Sequence, residues 1–302
     1  MDTFAGTTAH DIDLPGGRIR YYLAGTSGPA LVLLHGGVLD CAEQAWGEIV
    51  PRLSDRFRLY ALDWPEHGGS WPARSGTGEA VLGDVLIRLV DHWRLDRFHL
   101  VGSSQGGGIA TRFALDHPER VERMIAIGPV GYDDRRLVLA AMSVLVRIPH
   151  LARLVTRLLS RFPWLVRLSL RAARTRGERT IGFEESVALG VEQVRRADRH
   201  GSTIVDDYLV DSFARLHDRI DYRPEVHRLS VPTLIVRGSR DLTTSERALR
   251  WAAGVMPSGR FRSIEGAGHL VSRDDPRAVA AIIEEFLLAD LQSEPRQGLA
   301  DQ

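Results

Sequence analysis

A serine hydroxyl can attack an acyl carbon only where the backbone pushes it forward and a base removes its proton, so serines in tight turns come first. Gly102-Ser103-Ser104-Gln105-Gly106 has the spacing G-x-S-x-G. Small residues two before and two after Ser104 let neighbouring backbones close against a sharp strand-to-helix turn. Ser103 is excluded as the nucleophile because Val101 and Gln105 would then occupy the glycine positions. A chain this rich in glycine would contain roughly 0.2 such patterns by chance, so the setting carries the argument.

The same chemistry requires a histidine as base and an acid to orient it. Asp241 closes Arg237-Gly238-Ser239-Arg240-Asp241, and His269 closes Gly266-Ala267-Gly268-His269. Each follows an apolar run that reads as a strand, which would bring both to the sheet edge that carries Ser104. Two alternatives stand beside this reading. Ser104 could be a plain helix N-cap, and Asp133 or Asp134, after an earlier strand, could be the acid.

The elements that must position these residues are legible as alternating apolar runs and helical patterns, the signature of strand-helix-strand crossovers around a parallel sheet. Strands are expected at 18–24, 30–35, 57–64, 98–102, 123–128, 233–237 and 260–264. Helices are expected at 43–53, 78–93, 105–116 and 245–256, with a closing helix from Pro276 that shows Val279, Ile282, Ile283 and Phe286 at helical spacing. Leu31-Val32-Leu33-Leu34 is apolar at every position, as a central strand covered on both faces should be.

Between 131 and 229 the strand signal disappears and helical patterns dominate, so an inserted helical subdomain is expected there. Leu151, Leu154, Val155, Leu158, Leu159 and Phe162 repeat at helical spacing, with Arg153, Arg157 and Arg161 read as the opposite side. From Arg135 to Arg179 there are eleven arginines and one glutamate, Glu178. A solvated face accounts for them, and a surface for acidic lipid or an anionic substrate is the alternative.

Composition narrows the chemistry further. Acidic and basic residues number 39 each, so no net field favours nucleic acid. Every basic residue is arginine and there is no lysine, which excludes a Schiff-base or P-loop lysine in this chain. The single cysteine, Cys41, cannot form an internal disulfide or a thiolate metal cluster. No signal peptide and no uncharged run of about 20 apolar residues is visible, so a cytoplasmic protein without stable membrane insertion is expected. The expected partner is a small molecule bearing an acyl group, and no metal or organic cofactor is called for.

His35-Gly36-Gly37, the stretch Asp63 to Ser70, the elbow at Ser104, Asp241 and His269 together resemble the α/β-hydrolase superfamily, specifically its cap-bearing branch of serine esterases, lactonases, thioesterases and carbon-carbon bond hydrolases. The resemblance covers nearly the whole chain. It implies an α/β fold with an eight-stranded, mostly parallel sheet. Residues 1–131 and 229–302 would form the core, and 132–228 a helical cap over the catalytic edge. It also implies an oxyanion hole made by the backbone N–H of Gln105 and of Gly37, or Val38, the first at a helix N-terminus whose dipole favours negative charge.

Within that resemblance Glu66 replaces the first glycine of the usual D-x-x-G-x-G-x-S stretch, and serine at the elbow departs from branches that use an aspartate nucleophile. Ester, lactone or thioester hydrolysis is the implied reaction. Carbon-carbon cleavage, a non-hydrolytic biosynthetic step and a slow-turnover ligand sensor remain open, because fold and triad do not decide the reaction. Val38, Met142, Leu145, Leu154, Phe162 and Trp164 are expected to wall an apolar substrate pocket.

Overall fold

The computed structural model describes residues 4, 6–132, 148–212 and 220–289. Among them, one eight-stranded sheet runs in the order β1-β2-β4-β3-β5-β6-β7-β8. The strands are β1 (Thr8–Leu14), β2 (Gly17–Ala24), β3 (Ala30–Leu34), β4 (Arg58–Leu62), β5 (Phe98–Ser103), β6 (Val121–Ile127), β7 (Thr233–Gly238) and β8 (Gly259–Ile264). The pairs β1/β2 and β2/β4 are antiparallel and every other pair is parallel. All carboxyl ends of β3 to β8 therefore lie on one edge.

The central strands are buried on both faces, and their alternate residues feed two separate cores. Val32 and Leu34 of β3 point into a cluster with Leu82, Leu86 and Leu89 of α3 (Glu79–His92), Ile109 and Phe113 of α4 (Gln105–Asp116) and Leu249 of the helix Glu246–Val255. Leu31 and Leu33 point the other way, to Trp46 of α1 (Ala42–Trp46), Leu53 of α2 (Val50–Leu53) and Ile283 and Phe286 of the closing helix Pro276–Leu288. A period of two along a strand is the reason one run of leucines can serve both layers.

The eighth strand, β1, has no apolar run, since Thr8–Leu14 is an edge strand whose side chains are all exposed or half-buried. The helix expected over 43–53 is two short helices, broken at Gly47, because Pro51 suits only the first turn of a new helix.

Between β6 and β7 the described residues form helices: α5 (Pro149–Arg161), α6 (Pro163–Ala173), α7 (Phe183–Arg199) and α8 (Asp207–Ser212). They enclose a third apolar cluster that includes Leu159, Val166, Phe183, Val194 and Leu209, against which Val38 and Leu39 of the sheet edge pack. The insertion thus has its own core and rests on the loop after β3.

At the end of β5 the chain reverses through Ser104 (φ 52, ψ −114) directly into α4. This left-handed backbone is strained for serine, and its surroundings hold it. Ser104 N–H donates to Ile127 O at 2.8 Å, and Ser104 O accepts from Gly108 and Val130, each at 3.1 Å. A methyl at Gly102 would overlap the Gly106 carbonyl, and one at Gly106 would overlap the carbonyls of Leu34 and His35. Gly106→Ala should therefore lower stability by about 2 kcal/mol or more. Gly254→Ala, in helix 246–255 with open space around it, should be neutral or slightly stabilising. Urea unfolding of both variants measures the contrast, and equal effects would remove the steric account of the elbow.

Candidate active site

Three side chains from the ends of three strands meet in one hydrogen-bonded line. Ser104 Oγ lies 3.0 Å from His269 Nε2, and His269 Nδ1 lies 2.9 Å from Asp241 Oδ2. Asp241 ends the turn after β7 and its side chain is fully buried, whereas His269, after β8, is 23% exposed. An ionised carboxylate can only accept, so the proton sits on Nδ1 and the Nε2 lone pair faces the Ser104 hydroxyl. That is the tautomer that can take a proton from serine.

Asp241 is ionised because its partners outweigh its burial. Desolvation pushes its pKa up, but the hydrogen bond and charge of His269 and the hydroxyls of Thr243 and Thr244 hold it well below the usual carboxylate range. Oδ1 accepts from Thr243 N–H and its hydroxyl, both at 2.7 Å, and Oδ2 from the Thr244 hydroxyl at 2.7 Å. The Thr243 hydroxyl is also 2.7 Å from His269 Nδ1, which pins the ring plane. These threonines were not singled out from the sequence. Their signal was there, in two hydroxyls placed two and three residues after the acid.

The loop after β3 is held by buried polar groups. His35 accepts from Trp64 N–H on Nε2 at 2.9 Å and faces Gly36 O with Nδ1 at 2.6 Å. Burial, followed by nearby His67, holds its pKa well below the ordinary value, so it is a neutral strut. Asp40 accepts from Gly36 N–H at 2.8 Å and Cys41 N–H at 3.0 Å, and a methyl built on Gly36 would stand 3.4 Å from Ser104 Cβ. Asp63 accepts from Ala42 N–H, Gly69 N–H and the Tyr22 hydroxyl at 2.8 to 2.9 Å.

Glu66, in the position where the resembled pattern has glycine, takes a left-handed φ of 66. The turn that glycine would serve is thus kept. Contacts from the insertion stabilise it: Ser202 donates to the Glu66 carboxylate at 2.6 Å and Gln193 to its carbonyl at 2.7 Å. Gln105, directly after Ser104, begins α4, where N–H groups of the first turn lack helical partners. Its side chain donates to buried Asp206 at 2.7 Å, and a methyl on Gly37 would overlap its side-chain oxygen. Gly37 and Gln105 are therefore adjacent across the site.

A family profile for the alpha/beta hydrolase fold matches residues 29–276. The chain belongs to that family. Among its relatives is an uncharacterized protein of Mycobacterium tuberculosis, 27% identical over 90% of this chain and 79% of that one. Another is the pimeloyl-[acyl-carrier protein] methyl ester esterase of Nitrosomonas europaea, 26% identical over 80% of this chain and 89% of that one. Among solved structures, the enol-lactonase from Burkholderia xenovorans superposes with a TM-score of 0.71 at 19% identity, covering 93% of this chain and 100% of that one.

Of the six residues expected to wall a pocket, four lie among the described residues. Val38 is half-buried, with φ 65, and packs against the insertion's core. Leu154, Phe162 and Trp164 are 51%, 43% and 61% exposed, so on the described surface they face outward. Met142 and Leu145, with the rival acids Asp133 and Asp134, lie outside the described residues. The inward side of α5 is Ala152, Thr156 and Leu159, and the exposed arginine row at 153, 157 and 161 runs beside Leu154 and Leu158, not opposite them. Rows at i and i+1 stand about 100° apart on a helix, and a rotation of that size is invisible to periodicity alone.

Asp40 gives the site a measurable signature, since burial raises its pKa to about 6 despite the two backbone N–H groups that favour its charge. Between about pH 4, the unfolded value, and pH 6, the folded protein holds a proton that the unfolded chain releases. Stability attributable to Asp40 therefore falls as pH rises through that window and levels off above it. Asp40→Asn should remove this component, on the order of 2 kcal/mol, from the difference between unfolding free energies at pH 4.5 and 7. An unchanged pH dependence in the variant would refute the assignment.

Proposed function

We propose that the protein is a serine hydrolase that cleaves an ester, lactone or thioester with an apolar portion. The observation that carries the reading is the continuous line Ser104 Oγ, His269, Asp241, with spacings of 3.0 and 2.9 Å. Ser104 Oγ attacks the acyl carbon as His269 Nε2 takes its proton, and Asp241 holds the imidazolium in place. The proton then passes to the departing alcohol or thiol. A water, deprotonated by the same nitrogen, releases the acid and restores the serine.

The oxyanion would be met by the N–H groups of Gln105 and Gly37, at the start of α4 where the helix dipole favours negative charge. The apolar portion would lie against the insertion, which acts as a cap from about 132 to 228. Leu209 supports this, since a methyl on Gly37 would stand 3.1 Å from its side chain. The relative named as a methyl ester esterase supports an ester as substrate.

Short-chain nitrophenyl esters and a fluorophosphonate probe test the proposal. The wild type should turn over the esters and become labelled, whereas Ser104→Ala should do neither and keep its thermal midpoint. Ser103→Ala should retain labelling and substantial turnover. Asp241→Asn should lower kcat/KM by on the order of 10³-fold or more, because the wrong histidine tautomer then faces serine. Retention of more than a few per cent of turnover by Ser104→Ala would reject the nucleophile.

A further inference from the structure

The outer face of the insertion carries features that acyl transfer leaves unused. α5 turns Ala152, Thr156 and Leu159 inward and leaves Leu154 and Leu158 in one exposed row, continued by Phe162 and, at the start of α6, Trp164. Arg153, Arg157 and Arg161 form the adjoining row and are all exposed. Among the described residues these three arginines make no ion pair, while the one glutamate of the segment, Glu178, is engaged by Arg167 at 2.9 Å. From 148 to 182 the chain carries eight arginines and that single acid.

We propose that this face docks the protein on an anionic lipid bilayer. A run of large apolar side chains left in water ordinarily marks an interaction site, and the adjoining row of exposed arginines selects its partner. A second copy of the same face would set arginine row against arginine row, which opposes self-association. A bilayer surface supplies both needed chemistries in one plane. Lipid phosphates lie at the level of the guanidinium groups, and the acyl boundary beneath takes the leucines and Phe162. Trp164 places its ring in that boundary with its N–H toward the headgroups. With 13 residues, α5 is about 20 Å long, so it lies along the surface instead of crossing it. Long arginine stems follow the apolar row while their heads stay at the phosphate level.

The test uses the full chain and vesicles, with no readout of turnover. Flotation with phosphatidylglycerol vesicles should carry the protein, pure phosphatidylcholine at least tenfold less, and added salt should weaken the binding. Arg153→Gln/Arg157→Gln/Arg161→Gln should lower partition by on the order of a hundredfold, and Leu154→Ser/Leu158→Ser by at least tenfold. Since all five residues are exposed, thermal midpoints should stay unchanged, which separates lost docking from lost folding. Wild-type tryptophan fluorescence should shift to the blue on phosphatidylglycerol vesicles, and Trp164→Phe should reduce the shift. Absence of binding to these vesicles would overturn the proposal, as would equal binding by both multiple variants. So would a wild-type dimer, seen by sedimentation without lipid, that either variant abolishes.

Discussion

The turn at Ser104 is possible only because two backbones can lie against it. Gly102 and Gly106 have no side chain, so the Gly106 carbonyl, β3 and the start of α4 close to distances that a methyl would forbid. Strain in the left-handed backbone is held by hydrogen bonds to β6 and to Val130. Two consequences follow from that one constraint. Ser104 Oγ is held 3.0 Å from His269 Nε2, and Gln105 starts α4 beside Gly37. Ser104 and Gln105 therefore share one rigid support.

Around that support, buried and half-buried carboxylates act as fixed acceptors for backbone and side-chain donors. Asp40 holds the β3 loop, Asp63 holds the β4 loop, and Asp206 reaches from the insertion to the Gln105 side chain. Burial raises the pKa of each, so each favours the neutral acid more than an exposed carboxyl would. Asp241 is the exception. Its histidine and threonine partners reverse the effect of burial, and a permanent negative charge is what a protonated imidazole requires as its neighbour. The same residue type thus serves two ends, decided by whether cationic and hydroxyl donors outweigh desolvation.

The insertion is joined to this frame by polar contacts as well as its core. Gln193 bridges Glu66 O and Gly68 N–H, and Thr77 and Asp207 exchange hydrogen bonds. Glu66 can take a glycine's backbone conformation because Ser202 and Gln193 engage it there. While the inner side of the insertion is tied down in this way, its outer side leaves leucines and arginines in adjoining rows. The two sides therefore differ in character, one polar and tied to the frame, the other a mixed apolar and cationic surface.

By itself the sequence determined the features that depend on short-range rules. Apolar runs marked seven of the eight strands, and glycine spacing marked the elbow. The positions of Asp241 and His269 after strands were legible because parallel strands put all carboxyl ends on one edge. β1 carries no such run because an edge strand needs little apolar character. Only the tertiary structure decided which donors surround each carboxylate, since Thr243, Thr244 and His269 act on Asp241 through space and from two segments. It also decided which row of α5 faces inward. Helical periodicity specifies that an apolar stripe exists, yet a rotation of about 100° exchanges its neighbours without changing the sequence, and the packing of Leu159 against Val166 and Val194 selects one rotation. That selection leaves Leu154, Leu158 and the arginines beside them facing water.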